Sequence, residues 1–284
     1  MFELPEIRTL ATQMDETLTG AVVHEGFLGN RPHKFVWYNQ THADFARLTH
    51  GKRIGRATAR GKWLLVPLKP GFVLVVGECG GKLLYHPEGE PRPAKYHMLL
   101  TFEDGSALSA VTKMWGAYEL YPQGEEQERR YIKGMRTTPA DPGFTLSYFQ
   151  ALVEEVTATG KRSAKGLLTQ DQLIPGLGNG VAQDILFRAR LHPRTDLALL
   201  TSDQLRTLHD AIRETVAEVT EMGGRNDEVD LFGRAGGYKR VMDASALKRP
   251  CPRCGGTVQK IQYLGGTCYF CPACQPQGPA RSVA

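Results

Sequence analysis

From Glu6 to Leu18, apolar or small residues recur at Ile7, Leu10, Ala11, Met14 and Leu18, the spacing of a helix with one packed stripe. MFELP leads into it, and Pro5 suits a first helical turn, where its missing N–H costs nothing. The period then shortens. AVVHEGF, FVWY, KWLLVPL, FVLVVG, KLLYH, YHMLLTF, ALSAV and GAYEL are short runs of strand character separated by turn material such as KPG, HPEGEPRP and EDG. Residues from about 20 to 121 therefore predict an antiparallel sandwich or barrel. After the turn-rich, mixed-charge stretch YPQGEEQERRYIKGMRTTPADPG, the long apolar period returns in LSYFQALVEEVTA, LLTQDQL, NGVAQDILFRARL and SDQLRTLHDAIRETVAEVTEM. Thr201 followed by Gln204 has the spacing of a capping box and marks the start of the last of these helices. Beyond Gly223, GGRNDEVDLFGRAGGYKR is too polar for a helix and predicts a loop over or beside a site. The closing QPQGPARSVA is expected to fray.

A length of 284 residues and a hydrophobic fraction of 41% fit two globular domains. The formal charge of +5 is a mild bias, but its distribution is uneven. From Arg234 onward the chain carries Arg234, Lys239, Arg240, Lys248, Arg249, Arg253, Lys260 and Arg281 against the single acid Asp243. Such a stretch suits a phosphate-facing surface. No apolar run approaches the length of a membrane span and no secretory segment precedes the first polar residues, so no membrane partner and a cytoplasmic location are expected.

Four of the six cysteines form two CxxC pairs, Cys251 with Cys254 and Cys271 with Cys274, with 16 residues between the pairs. Each short turn offers two thiolates to one tetrahedral Zn2+, and VQKIQY and TCYF have the composition of a joining β-hairpin. Four thiolates close the coordination shell, so the predicted zinc is structural. Cys268 is expected to pack as a small side chain. In LIPGLGNG, Asn179 is placed to cap the following helix, and a glycine-bearing turn at a helix start can hold a phosphate. The same turn also suits a plain helix-to-helix connection.

MFELPEI, RGKWLL, LIPGLGNGVAQDILFRARLHP and the C-x2-C-x16-C-x2-C end, in that order over nearly the whole chain, resemble the formamidopyrimidine-DNA glycosylase and endonuclease VIII family. The resemblance implies an α+β multidomain protein: an N-terminal β-sandwich with a flanking helix over 1–125, and a helix-two-turn-helix domain over 140–224. A glycine-rich, basic connection over 225–250 and a zinc-finger hairpin over 251–275 would follow. It also implies double-stranded DNA, damaged or abasic, as partner to a monomer, with base excision followed by strand cleavage through an iminium at the sugar C1′. By resemblance Glu3 is the acid beside the reacting amine, Glu6 a supporting acid, Lys62 a phosphate-binding lysine and Asn179 the phosphate-holding asparagine. Met114 and Trp115 would enter the gap left by an everted base, with Lys239 and Arg240 in the basic surface. Considered alone, Glu3 has two readings: an acid whose pKa burial and DNA charge raise, fit for proton delivery or water activation, or a residue facing solvent or capping a nearby amide.

The family reacts through an N-terminal proline, whereas this chain has Phe2. A bulky second residue should hinder removal of Met1, which would leave the Met1 amine, displaced by one residue, as the alternative nucleophile alongside Lys62. Glu78 stands where an apolar filler is expected, and Gly266 where the zinc hairpin would carry a phosphate-binding arginine. Three functions stay open: a divergent glycosylase with AP-lyase activity, a DNA-binding accessory protein without catalysis, and a zinc-ribbon factor of RNA or protein assembly.

Overall fold

Helix α1 (Leu4–Leu18) begins earlier than the apolar stripe, with Pro5 in its first turn, and buries Ile7, Leu10, Ala11, Met14 and Leu18 as the spacing predicts. In this computed structural model, which describes residues 1–277, ten strands follow. They are β1 (Val23–Leu28), β2 (Val36–Tyr38), β3 (Arg53–Ile54), β4 (Thr58–Arg60), β5 (Trp63–Lys69), β6 (Phe72–Gly77), β7 (Gly81–His86), β8 (Met98–Phe102), β9 (Ala107–Thr112) and β10 (Gly116–Pro122). One sheet has the order β1-β8-β9-β7; the other runs β2-β10-β6-β5-β3, with β4 paired to β5. The two inner faces and α1 enclose one core, in which Leu64, Val66, Leu74 and Val76 of one sheet meet Met98, Leu100, Leu108 and Ala110 of the other. The sandwich is therefore as expected, except that β2 joins β10 in parallel at the sheet edge.

A helix that the periodicity did not reveal, α2 (His42–Thr49), lies between β2 and β3. The Thr41 side chain caps it by accepting from the Asp44 N–H, and Phe45 anchors it in the core. Its short apolar pattern does not stand out in sequence, and tertiary packing supplies the stability that so few turns lack.

Two compact units make up the chain: residues 1–135 with 219–238, and residues 136–218 with 239–284. The closing tail, including Arg281, lies outside the described residues. The second unit holds α3 (Leu146–Ala158), α4 (Ala164–Thr169), α5 (Asn179–Arg188) and most of α6 (Ser202–Glu221), then the hairpin β11 (Gln259–Tyr263) and β12 (Gly266–Phe270). Phe149, Leu167, Ile174, Val181, Ile185, Leu208 and Ile212 are among its buried apolar residues. At the α6 start, the Thr201 N–H donates to Gln204 Oε1 at 3.0 Å and the Gln204 N–H returns to the Thr201 hydroxyl at 3.3 Å, the reciprocal cap predicted. The helix expected over LLTQDQL lies upstream instead: Ser163 caps α4, and Asp171 and Gln172, at φ +55° and +50°, turn the chain out of helical geometry. The observed architecture is thus an N-terminal β-sandwich with a flanking helix, a helical middle region and a C-terminal β-hairpin carrying a four-cysteine cluster.

Candidate active site and nucleic-acid interface

The first residues are held from both ends of the first unit. The Phe2 ring is 1% exposed within the sandwich core, and its N–H donates to the Cys79 carbonyl at 3.0 Å. Glu3 is extended at the α1 N-cap, where its N–H donates to the Glu6 carboxylate at 2.8 Å. Both carboxylates are buried against Arg225, itself only 3% exposed. Arg225 donates Nε to Glu6 Oε1 at 2.9 Å, Nη2 to Glu6 Oε2 at 3.1 Å and Nη2 to the Met1 carbonyl at 2.8 Å. Its Nη1 lies 3.8 Å from Glu3, and its Nη2 lies 3.6 Å from Glu228. Burial works against the guanidinium charge, yet Glu3, Glu6 and Glu228 together hold its pKa above the ordinary arginine value. The Met1 ammonium pairs with the Glu228 carboxylate.

Neither Arg225 nor Glu228 was singled out from the sequence, because nothing local connects residues 225 and 228 to residues 3 and 6. The glycine-rich stretch accounts for the approach. Gly224 turns at φ +104°, and a Cβ on Gly236 would lie 2.2 Å from the Gly224 carbonyl oxygen, so the two backbones can meet only without a side chain there. The predicted loop is therefore an ordered strap across α1, fixed further by Gln13, which donates to Asp230 at 2.9 Å and accepts from the Leu231 N–H at 2.9 Å.

Next to the strap, Met1, Gly80, Gly81, Lys82, Lys113, Met114, Asp227, Glu228 and Val229 line a cavity of about 220 Å³. Met1, the acid that its ammonium pairs with and two exposed lysines thus share one concave surface. Cys79 adds no nucleophile, since burial pushes its thiol up to about 11.

Strand register gathers further residues at the same end of the six-stranded sheet. Trp63 pairs with Gly77 and Gly77 with Ala117, so Lys62, Glu78 and Gly116 each adjoin a residue of that paired row. Lys62 occupies the tight turn between β4 and β5, half-buried and without an ion pair among the described residues. Glu78 is half-buried at φ +48°. Met114 and Trp115 are adjacent in sequence but part company: Met114, 56% exposed, borders the cavity, whereas Trp115 lies against Phe35 and Trp37.

In the second unit, the expected Asn179 cap is replaced. Gly178 is the N-cap, extended at φ −152° and itself without a capping side chain, and Asn179 is already the first helical residue. Its carboxamide is exposed and faces the hairpin, since a Cβ on Gly266 would stand 3.3 Å from it. Lys165, another residue that sequence did not flag, is buried and donates to the Tyr263 carbonyl, with the Gly266 carbonyl at 3.4 Å. The buried ammonium thereby fixes the hairpin turn beside Asn179. Lys239 is exposed and Arg240 half-buried.

Cys251, Cys254, Cys271 and Cys274 bring their sulfurs within 4.8 Å of one another, close enough to share one metal ion, while Cys268 is buried in β12 and outside the group. Burial and the neighbouring sulfurs push Cys274 up to about 12, against about 7 for Cys251, where backbone amides of Arg253 and Cys254 overcome the opposing effect of burial. Four sulfur donors gathered at one point, with no other ligand type among them, fit a structural zinc. Gln183, Asp184 and Gln275 tie the module to α5 and its C-terminal extension. Gln183 accepts from the Tyr269 N–H at 2.7 Å, Asp184 from the Met242 N–H at 2.7 Å, and Gln275 donates to the Leu191 carbonyl at 2.9 Å.

Residues 1–113 match the Formamidopyrimidine-DNA glycosylase N-terminal domain and residues 138–229 match the Formamidopyrimidine-DNA glycosylase H2TH domain. Both matches lie outside the cysteine hairpin. A formamidopyrimidine-DNA glycosylase of Desulforamulus reducens is 30% identical over 287 residues, covering 97% of this chain and 99% of the relative. One from Bacillus cereus is 27% identical over 281 residues, covering 98% and 100%. Among solved structures, the MutM (Fpg) protein from Thermus thermophilus superposes with a TM-score of 0.80 at 28% identity, covering 98% of this chain and all of that one. The Lactococcus lactis Fpg in complex with DNA containing an abasic site shares the fold, with a TM-score of 0.82 at 24% identity over 97% of this chain and all of that one. No described helix is long and apolar enough to cross a membrane.

Proposed function

Because the chain belongs to the formamidopyrimidine-DNA glycosylase family, we propose that it binds damaged or abasic double-stranded DNA in base-excision repair, with the Met1 amine as the reacting group at the sugar. The observation that carries the chemistry is the placement of that residue: Met1 lines the cavity, and its ammonium contacts Glu228, which lines it too. Glu228 takes a proton from the ammonium, and the freed lone pair attacks C1′ of the opened deoxyribose. Loss of the C1′ oxygen as water leaves an iminium, from which removal of a C2′ proton expels the 3′ phosphate. Glu6 serves in this scheme as the counter-ion of Arg225, and Glu3 as the N-cap that aims the chain at the cavity. Lys62 and Asn179, with Lys239 and Arg240, are the phosphate contacts of this reading.

A second reading, lesion binding without catalysis, is favoured by the enclosure of Glu3, which is 4% exposed and set against Arg225 rather than presented as a proton donor. Borohydride trapping on abasic duplex separates the two. The catalytic reading expects a covalent adduct that peptide mapping places on the residue 1 amine, and mass measurement of the terminus fixes that amine's identity. An adduct on Lys62 would transfer the role to that lysine. No adduct and no base release, with lesion binding intact, would establish the accessory reading, while equal affinity for intact and abasic duplex would overturn lesion recognition altogether.

A further inference from the structure

Phe35 immediately precedes the edge strand β2 and Trp37 lies within it, and both rings lie against Trp115. Trp37 pairs with Ala117 on β10, and Trp115 is two residues from Ala117. The rings meet there: Trp37 and Trp115 stack with centroids 5.3 Å apart and planes 12° from parallel, and Phe35 lies 4.5 Å from Trp115 at 38°. This is the outer face of the six-stranded sheet. Ala117 belongs to the outer cluster with Trp63, Leu65, Val73 and Val75, while the alternate residues Val36, Tyr38 and Tyr118 point into the sandwich core. The outer cluster is covered by Ile132 and Met135, but Phe35 and Trp37 remain 37% and 44% exposed.

Core packing thus does not account for the two edge rings. The chain segments that carry them are cationic. From residue 26 to residue 43 the chain has no acid and carries Arg31 and Lys34, and from 105 to 118 it has no acid and carries Lys113. The Lys34 ammonium lies 5.4 Å from the Phe35 ring centre. The opposing charges are the half-buried Glu78, next to Gly77, and Glu119, two residues on from Ala117 and paired with Arg129. Flat, partly exposed indole and phenyl rings flanked by cations match the chemistry of a strand whose bases are unpaired: the π-face of any base stacks on the rings, and the adjoining phosphates meet the lysines and arginine.

We propose that Phe35 and Trp37, backed by Trp115, form a stacking platform for an unpaired base of the DNA, outside the Met1 cavity. The inference deepens the reading of the chain as a protein of damaged duplexes and rests on it. Binding of the zinc-loaded full chain to intact duplex, abasic duplex, duplex with a bubble of unpaired thymines, and single-stranded oligothymidine tests it, comparing wild type with W37A and F35A. One base stacked on one ring is worth roughly a five- to hundredfold change in affinity. W37A should therefore lose about tenfold on the bubble and on oligothymidine, with intact-duplex affinity held within about twofold. Oligothymidine should also quench the tryptophan fluorescence of the wild type more than that of W37A. Unchanged bubble affinity in W37A, or an equal loss on intact duplex, overturns the platform. So does concentration-dependent self-association of the wild type that W37A abolishes, since the rings would then serve a second copy of the chain. If no duplex is bound but oligothymidine binds and quenches through Trp37, the platform stands and the duplex-repair reading falls.

Discussion

Phe2→Ala is the perturbation that asks most directly what the second residue does. The ring is 1% exposed and sits in the core shared by α1 and both sheets, so its removal forfeits the burial of a whole aromatic side chain and leaves a cavity with rigid walls. A phenylalanine buries about 150–250 Å², and at about 25 cal/mol per Å² that corresponds to roughly 4–6 kcal/mol as an upper bound. Measured losses for such truncations run to about 3–5 kcal/mol. We therefore expect Phe2→Ala to destabilise the first unit by about 4 kcal/mol, and Phe2→Leu, which refills most of the volume, by less than about 1.5 kcal/mol. The three tryptophans, Trp37, Trp63 and Trp115, all belong to the first unit, so urea unfolding followed by intrinsic fluorescence reports the relevant transition. Phe2→Pro should cost more than Phe2→Leu. It loses the ring and also the donor to the Cys79 carbonyl, an unmet buried acceptor worth about 1–3 kcal/mol. A loss below about 1 kcal/mol for Phe2→Ala would refute the claim that the second residue is a structural anchor.

Two further outcomes follow from the same geometry. Arg225→Met should destabilise the first unit by about 3–5 kcal/mol by leaving Glu3 and Glu6 buried without a cation, and adding Glu6→Gln should recover part of that loss; a neutral single variant in the fluorescence-monitored titration would contradict the pairing. Metal analysis should find one zinc per chain, lost in Cys271→Ser, with faster amide exchange across β11 and β12 after chelation; a hairpin equally protected with and without metal would show that the thiolates do not hold it.

The sandwich, the long helices and the cysteine cluster were legible because each rests on a local period or a fixed spacing. The stripe from Ile7 to Leu18 and the pairs around Cys251 and Cys271 needed no long-range information. What escaped was set by contacts across the chain. Arg225 reaches Glu6 over a separation of 219 residues, and its segment reads only as polar and glycine-rich. Lys165 is buried because the hairpin offers it carbonyls, which no spacing within α4 announces. The α5 cap expected at Asn179 falls one residue earlier, on Gly178, where the backbone is still extended, and Asn179 is already helical. Met114 and Trp115 are neighbours in the turn between β9 and β10, yet Met114 borders the cavity and Trp115 lies against Phe35 and Trp37, a division that sequence adjacency does not announce.

The first unit is also discontinuous, with residues 219–238 completing what residues 1–135 begin. During synthesis the ribosome delivers Glu3 and Glu6 early and their guanidinium partner only after more than two hundred further residues. The nascent front half must therefore wait, its acid pair still hydrated, until the strap emerges. Dissecting the protein at the obvious linear border would carry that unfinished state into the test tube, whereas a fragment joining 1–135 to 219–238 through a short linker would not.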